Sequence, residues 1–422
     1  MRDKIRGWYA DNLFRNSFYL MFNTAIQATL GFFFWLICAH LFTPDQIGIA
    51  TSLISAMTLI SYISLLGFNN TFVRILPTSK EKSNDINTGA LLVIILAAVL
   101  SVMYLLIVPI IAPKLIIIDR NFWYGAAFVV MVGLSSINLL TDSIFVAFRA
   151  AQYCLITDAF ITSGFKLVLP LVFVGLGAYG IFAASGLAAS IGMVASIIFL
   201  VTQFGYKPEL RIHKKTIKGV FNYSFYNYIA NLLNIAPTLI LPLLVLDHLG
   251  SAEAGYYYLA FSVANLLYAV AFAVSQSFFA EGSYGETQLK HLLKKALLIL
   301  GAIMVPAGVI LATLGGFVLH FFGKSYSAGG GEVIVILALA APAVAAYTLG
   351  NAALRIRSQI YSIIVVNVIY FLAIGGLALL WVHRGLTWVA IAWVIGNLAA
   401  ALVAFFAIAY FRPGHTVRTA VV

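Results

Sequence analysis

Three charged residues stand where the surrounding sequence offers them no water: Asp142, Asp158 and Lys166. Lys166 lies inside Ile161-Thr162-Ser163-Gly164-Phe165-Lys166-Leu167-Val168-Leu169-Pro170, the middle of a long apolar stretch. An ammonium group in hydrocarbon costs at least about 2.5 kcal/mol unless it meets a cavity or a partner. Two kinds of chemistry follow. Lys166 is placed to receive an anionic headgroup, such as a lipid-linked phosphate or pyrophosphate, with Asp142 and Asp158 completing the site. Alternatively it pairs with one of those carboxylates as a structural salt bridge. At 1.5 Å per helical residue Lys166 lies roughly 18 Å from the nearer loop, Asp142 about 11 Å and Asp158 about 6 Å. Asp142 is therefore the acid nearest in depth, and the two readings are compatible.

Amides form a second pattern. Asn16, Asn23 and Gln27 recur at i, i+7 and i+11, and Asn227, Asn231 and Asn234 at i, i+4 and i+7. Each set shares one face of a helix. Amides both donate and accept hydrogen bonds and suit sugar hydroxyls or cavity water; interhelical bonding is the alternative use. A third pattern is a pair of opposite charges, Arg74 and Glu281, each expected at the inner end of an apolar stretch and 207 residues apart. They are candidates for a cytoplasmic gate, against the plainer reading of lipid contact for Arg74 and a pair with Lys290 or Lys294 for Glu281. Other chemistries are missing from the text. There is no GxxxxGK[ST] phosphate loop and no HExxH metal motif. Cys38 and Cys154 have no redox or zinc spacing.

The elements that must hold these residues are membrane spans. Of 422 residues, 62% are hydrophobic and 9% charged, against about 25% charge in a soluble domain. Twelve apolar stretches are long enough to cross a hydrocarbon core of about 30 Å. Backbone groups in lipid must be satisfied within the segment, which makes these stretches helices. The net charge of +11 invites nucleic acid as a partner, but its distribution argues for none. On an inside-start topology twenty basic residues fall on inner segments and four on outer loops. That bias places both termini in the cytoplasm. The apolar run after Arg2, Lys4 and Arg6 reads as an uncleaved first span. Gly329-Gly330-Gly331 reads as a flexible outer loop. Pro170, Pro237, Pro242 and Pro306 fall inside spans as possible kinks.

The second six stretches repeat the first six. Ser17-Phe18-Tyr19 recurs as Ser224-Phe225-Tyr226, His40-Leu41 as His248-Leu249, Gly48 as Gly255, Ala147-x-Arg149 as Ala353-x-Arg355 and Gly177 as Gly385. The division falls at the basic loop, giving lobes 1–210 and 211–422. At an offset of about 207 the counterparts of Asp142, Asp158 and Lys166 are Thr348 or Leu349, Val365 and Ala373. The embedded charge is thus expected in the first half alone.

Twelve spans in two sixes, together with Leu41-Phe42-Thr43-Pro44-Asp45-Gln46-Ile47-Gly48, Leu65-Leu66-Gly67-Phe68-Asn69 leading to Arg74, Ala252-Glu253-Ala254-Gly255-Tyr256-Tyr257 and Phe279-Ala280-Glu281-Gly282-Ser283, resemble the multidrug/oligosaccharidyl-lipid/polysaccharide exporter superfamily. The resemblance is to its polysaccharide-transporter branch. It implies an all-α integral membrane protein with twelve transmembrane helices in two six-helix pseudo-symmetric lobes. It implies a flippase rather than an enzyme, without a cofactor, in the plasma (inner) membrane. The expected substrate is a polyprenyl-linked oligosaccharide, with membrane lipids around it and glycan polymerase or glycosyltransferases as pathway partners. A cation-coupled drug exporter on the same fold is the first alternative, and a membrane-embedded polymerase or glycosyltransferase the second.

Overall fold

The computed structural model describes residues 12–118, 121–210, 212, 225–282 and 289–410. Arg2, Lys4, Arg6, Ser224 and Ser283, named above, lie outside them. Every regular element among the described residues is helical. In chain order these are α1 (Asn12–Leu41), α2 (Pro44–Ser64), the short α3 (Phe68–Ile75), α4 (Lys82–Ile111), α5 (Phe122–Ala147), α6 (Gln152–Val172) and α7 (Ala178–Phe204). There follow α8 (Phe225–His248), α9 (Ser251–Gly282), α10 (Leu289–His320), α11 (Lys324–Leu339), α12 (Ala341–Ile356), α13 (Ile360–Trp381) and α14 (Leu386–Tyr410). Eleven of these are long and apolar enough to cross a membrane, and α11 with α12 makes a twelfth, broken span bent by 45°. Large apolar side chains such as Leu106, Ile110, Trp123, Leu298 and Leu380 stand exposed along the spans. Lipid, not water, is the solvent that tolerates them.

The chain forms two compact units, Met1–Tyr228 with Gly250–Gly255, and Ile229–Leu249 with Tyr256–Val422. The second unit therefore begins within α8, and Asn227 falls in the first.

In the first unit local sequence sets each boundary. Thr43 caps α2 in a reciprocal capping box: Gln46 N–H donates to Thr43 Oγ1 at 3.4 Å and Thr43 N–H to Gln46 Oε1 at 3.0 Å. Pro44 opens that helix where no N–H is needed. The second span does not run on to Arg74 as expected. It stops at Ser64, because Leu66 and Gly67 take positive φ of 48° and 84°, and Arg74 rides on the separate helix α3. Phe68 and Phe72 of α3 are buried and pack over Gly89, where a Cβ would fall 2.4 Å from the Phe72 ring. Gly48 and Gly255, matched in the sequence, touch one another: a Cβ on Gly48 would lie 1.8 Å from the Ser251 carbonyl and 2.8 Å from Gly255 N. Ser251 Oγ donates to Asp45 beside this crossing.

Span α6 is not a uniform helix. Leu155–Thr162 is wound as a π-helix between α-helical ends. Its wider girth is accommodated by Gly192 of α7, where a Cβ would meet Thr162 Oγ1 at 2.0 Å.

In the second unit the break between α11 and α12 follows from Pro342, whose ring opposes the carbonyl four residues back and which has no N–H to offer. Pro170, Pro237, Pro242 and Pro306 instead sit inside continuous helices. The Tyr268 hydroxyl takes the Leu337 carbonyl near the bend at 2.6 Å. The triple glycine 329–331 is helical, not a loop. A Cβ on Gly329 would fall 2.3 Å from the Tyr256 ring, so the glycines let α11 lie close against α9. Gly177 (φ 57°) and Gly385 (φ 107°) each end a 3-10 turn and open the last span of their unit.

Candidate functional site

The first unit gathers most of its sequence-marked polar residues in one place. Asp158 comes from the π segment of α6 and is buried, and Asn138 of α5 donates to its Oδ1 at 3.3 Å. Asp142, one turn on from Asn138, and Asn23 of α1 lie against the same carboxylate. Gln27 donates to Asn23 Oδ1 at 3.0 Å, so the two amides act as one unit. Lys166 is the cation facing Asp158 and is half-buried, without an ion pair to either acid. One carboxylate oxygen, Asp142 Oδ1, and one amide oxygen, Asn138 Oδ1, are buried without a partner. Asn16, in contrast, accepts from Ala151 N–H at 3.1 Å, pinning the start of α6. The arrangement combines one cation, two carboxyl groups and an amide pair within the spans of the first unit. It can exchange hydrogen bonds with a polar ligand and hold a charged one.

The second unit contains a matching cluster that a constant offset conceals. Arg149 and Ser358 both take positive φ, 55° and 54°, and each is followed by the same turn: Ala150 N–H to Phe145 O at 2.9 Å, and Gln359 N–H to Leu354 O at 3.1 Å. These turns are 209 residues apart, not 206. On that register Asn138, Asp142 and Asp158 correspond to Tyr347, Asn351 and Asn367, which corrects the counterparts Thr348 or Leu349 and Val365 expected above. The hydrogen bonds follow suit. Tyr347 OH donates to Asn367 Oδ1 at 2.5 Å, Asn351 Nδ2 donates to the same oxygen at 3.3 Å, and Asn234 of α8 donates to Tyr347 OH at 2.5 Å. Asn351 Oδ1 is again buried and unpartnered, as Asp142 Oδ1 is. Acid has become amide; the frame is the same. Lys166 corresponds to Gly375 on the 209 register.

Beyond this cluster the register steps from 209 to 208, and that step has a physical cause. Nineteen residues separate Asp158 from Gly177, but eighteen separate Asn367 from Gly385. The extra residue in the first unit is absorbed by the π turn of α6, which widens a helix without breaking it.

Asn231 is exposed on α8, and its Oδ1 accepts from Arg355 Nη2 at 3.3 Å. In the sequence Arg355 enters as a basic charge and as a repeat match to Arg149, not as a site residue. It completes a stripe on α12, Tyr347, Asn351 and Arg355 at i, i+4 and i+8, which was legible in the text and missed. Asn227 lies half-buried in the first turn of α8. Tyr257 and Tyr268 are core side chains: Tyr257 stacks on Phe261 and Tyr268 on Trp393. Arg74 is exposed on α3, and Glu281 is exposed near the end of the unbroken α9. The two do not occupy equivalent local structures, so the offset of 207 does not by itself pair them.

Over residues 37–329, more than half of the chain, the sequence matches the family described as polysaccharide biosynthesis protein. The chain belongs to this family. No curated protein matches its sequence. Among solved structures, the lipid II flippase MurJ in an inward closed conformation is similar at a TM-score of 0.75 and 14% identity, covering 93% of this chain and 87% of that one. An outward-facing multidrug resistance MATE family transporter is similar at 0.67 and 16%, covering 94% of each chain. An inward-facing MATE transporter is similar at 0.67 and 15%, covering 90% and 93%. The protein thus shares the all-α fold of these membrane transporters, with eleven helices among the described residues, and a twelfth broken one, long and apolar enough to cross a membrane.

Proposed function

We propose that this polysaccharide-family exporter is a flippase that carries a polyprenyl-(pyro)phosphate-linked oligosaccharide from the cytoplasmic to the outer leaflet for cell-surface polysaccharide synthesis. One observation carries the reading most: Lys166, Asp142, Asp158, Asn23 and Gln27 converge within the spans of the first unit. Such groups are costly in a membrane and mark a path for polar cargo. Lys166 serves the anionic headgroup. The amides Asn23, Gln27, Asn227, Asn231 and Asn234 serve sugar hydroxyls, for which they have both donors and acceptors. The protein sits in the inner membrane with both termini cytoplasmic, beside the polymerase or glycosyltransferases of its pathway, and Arg74 and Glu281 gate the cytoplasmic side. The repeat and the lobes 1–210 and 211–422 belong to the same reading.

The adjacent carboxyl groups of Asp142 and Asp158 favour a second reading, a cation-coupled drug exporter. One experiment separates the two. In cells making a lipid-linked glycan, Lys166→Ala should abolish surface glycan and leave the lipid-linked precursor inside, with the transporter still folded and inserted. Normal glycan export in that variant, together with efflux of a cationic dye that depends on Asp142, would support the drug exporter instead. Cysteines placed at Lys80 and Lys214 must stay unlabelled by an impermeant reagent added outside; labelling there would reverse the topology.

A further inference from the structure

The two units differ in how their cations are neutralised. In the first, Lys166 faces Asp158 with Asp142 beside it. In the second, the corresponding positions are the amides Asn351 and Asn367, and the cation is Arg355, on the same stripe of α12 as Tyr347 and Asn351. Among the described residues no carboxylate pairs with Arg355; its one hydrogen bond is to Asn231 Oδ1 at 3.3 Å. Both side chains are exposed. Arginine has five N–H donors and no acceptor, so four donors remain after that bond. Asn231 accepts from Arg355 with its oxygen and is left with two amide N–H donors. The pair therefore presents donors only, around a positive charge that no neighbouring acid cancels. It forms a cradle for a planar or tetrahedral oxyanion, which guanidinium binds through paired, charge-assisted hydrogen bonds.

We propose that Arg355 and Asn231 form an oxyanion subsite in the second unit, which takes a carboxylate or phosphate group of the transported glycolipid. The subsite rests on the flippase reading but is separate from Lys166. An anion brought to Lys166 meets Asp142 and Asp158 as well; at Arg355 it meets no like charge from the described residues. The same oxyanion chemistry has a second source, the headgroups of the surrounding anionic lipid, and the test must tell them apart.

The full chain is reconstituted in phosphatidylcholine nanodiscs and titrated with geranyl diphosphate, with trigalacturonate and with their uncharged counterparts geraniol and a neutral trisaccharide. Wild type should prefer at least one anionic probe to its neutral counterpart. Arg355→Gln should weaken that binding roughly ten- to hundredfold, the loss of charged hydrogen bonds. Arg355→Lys should keep part of it as a point charge without the fork, and Asn231→Ala should show a smaller loss. Whichever probe responds identifies the group that is bound. Wild type that prefers neither anionic probe, or Arg355→Gln that binds as wild type does, would overturn the proposal. So would an Arg355 effect seen only as altered association with phosphatidylglycerol, which would make the residue a lipid anchor. None of these outcomes touches Lys166 or glycan export, so the subsite can fail while the flippase reading stands.

Discussion

Replacing Asp158 by asparagine should leave the fold nearly intact while impairing transport, and the second unit supplies the reason. At the corresponding place Asn367 sits in the same frame, its Oδ1 accepting from Tyr347 and Asn351. Asp158→Asn keeps the oxygen that Asn138 donates to at 3.3 Å. It also brings an N–H₂ group to the neighbourhood of Asp142, whose Oδ1 has no partner. One like charge is removed from a buried pair, and one attraction to Lys166 is lost. The opposed changes leave a net effect within about 1 kcal/mol, the worth of an ordinary hydrogen bond. Asp158→Ala leaves the buried Asn138 Nδ2 without its acceptor, which costs about 1–3 kcal/mol. Cys38 and Cys154 are both buried, and both lie in the first unit. A thiol-reactive dye therefore reports the melting of the unit that carries the mutation. At roughly 2–4 °C per kcal/mol for a body of this size, the asparagine variant should melt within about 4 °C of wild type. The alanine variant should melt about 2–12 °C lower, and lower than the asparagine variant. Equal losses in the two variants would refute the argument, since the frames would then not be interchangeable.

Lys166→Arg should keep part of the glycan export that Lys166→Ala loses, because the positive charge remains while its shape changes. If Lys166→Ala instead fails to fold and Asp142→Asn rescues it, the lysine is a salt-bridge member and not a headgroup ligand. Gly48→Val should be strongly destabilising, because even a Cβ there falls 1.8 Å from the Ser251 carbonyl; a normal yield of monodisperse protein would contradict the close crossing. For the cytoplasmic gate, Arg74→Glu and Glu281→Arg should each reduce export, and the double variant should recover it. Additive losses would reject the pair.

The spans were legible because lipid imposes one demand, continuous apolar helix, on every crossing segment. Gly177 and Gly385 each sit at a positive φ that a side chain resists, and His40 and His248 each meet the carbonyl four residues back. Between the halves the offset is not constant: 207 at Gly48 and Gly255, 209 at the turns after Phe145 and Leu354, and 208 at Gly177 and Gly385. A single offset therefore passes over the amide cluster of Tyr347, Asn351 and Asn367, although its helical spacing is plain; the π turn of α6 accounts for the last of these steps. The triple glycine was misread because a run of glycine looks the same whether it gives freedom to a loop or closeness to a helix. Arg74 was misplaced because apolar residues continue through the turn at Leu66 and Gly67, so composition gave no sign that the span had ended.

The break at Ala340 makes α12 a lever. Arg355 lies fourteen residues beyond the first residue of that helix, about 21 Å away along its axis. A change of ten degrees in the 45° bend would swing the guanidinium by roughly 4 Å, more than the length of a hydrogen bond. The hydroxyl of Tyr268, on the carbonyl of Leu337, stands at the fulcrum, so a contact deep in the core sets where a charge far along the arm is aimed.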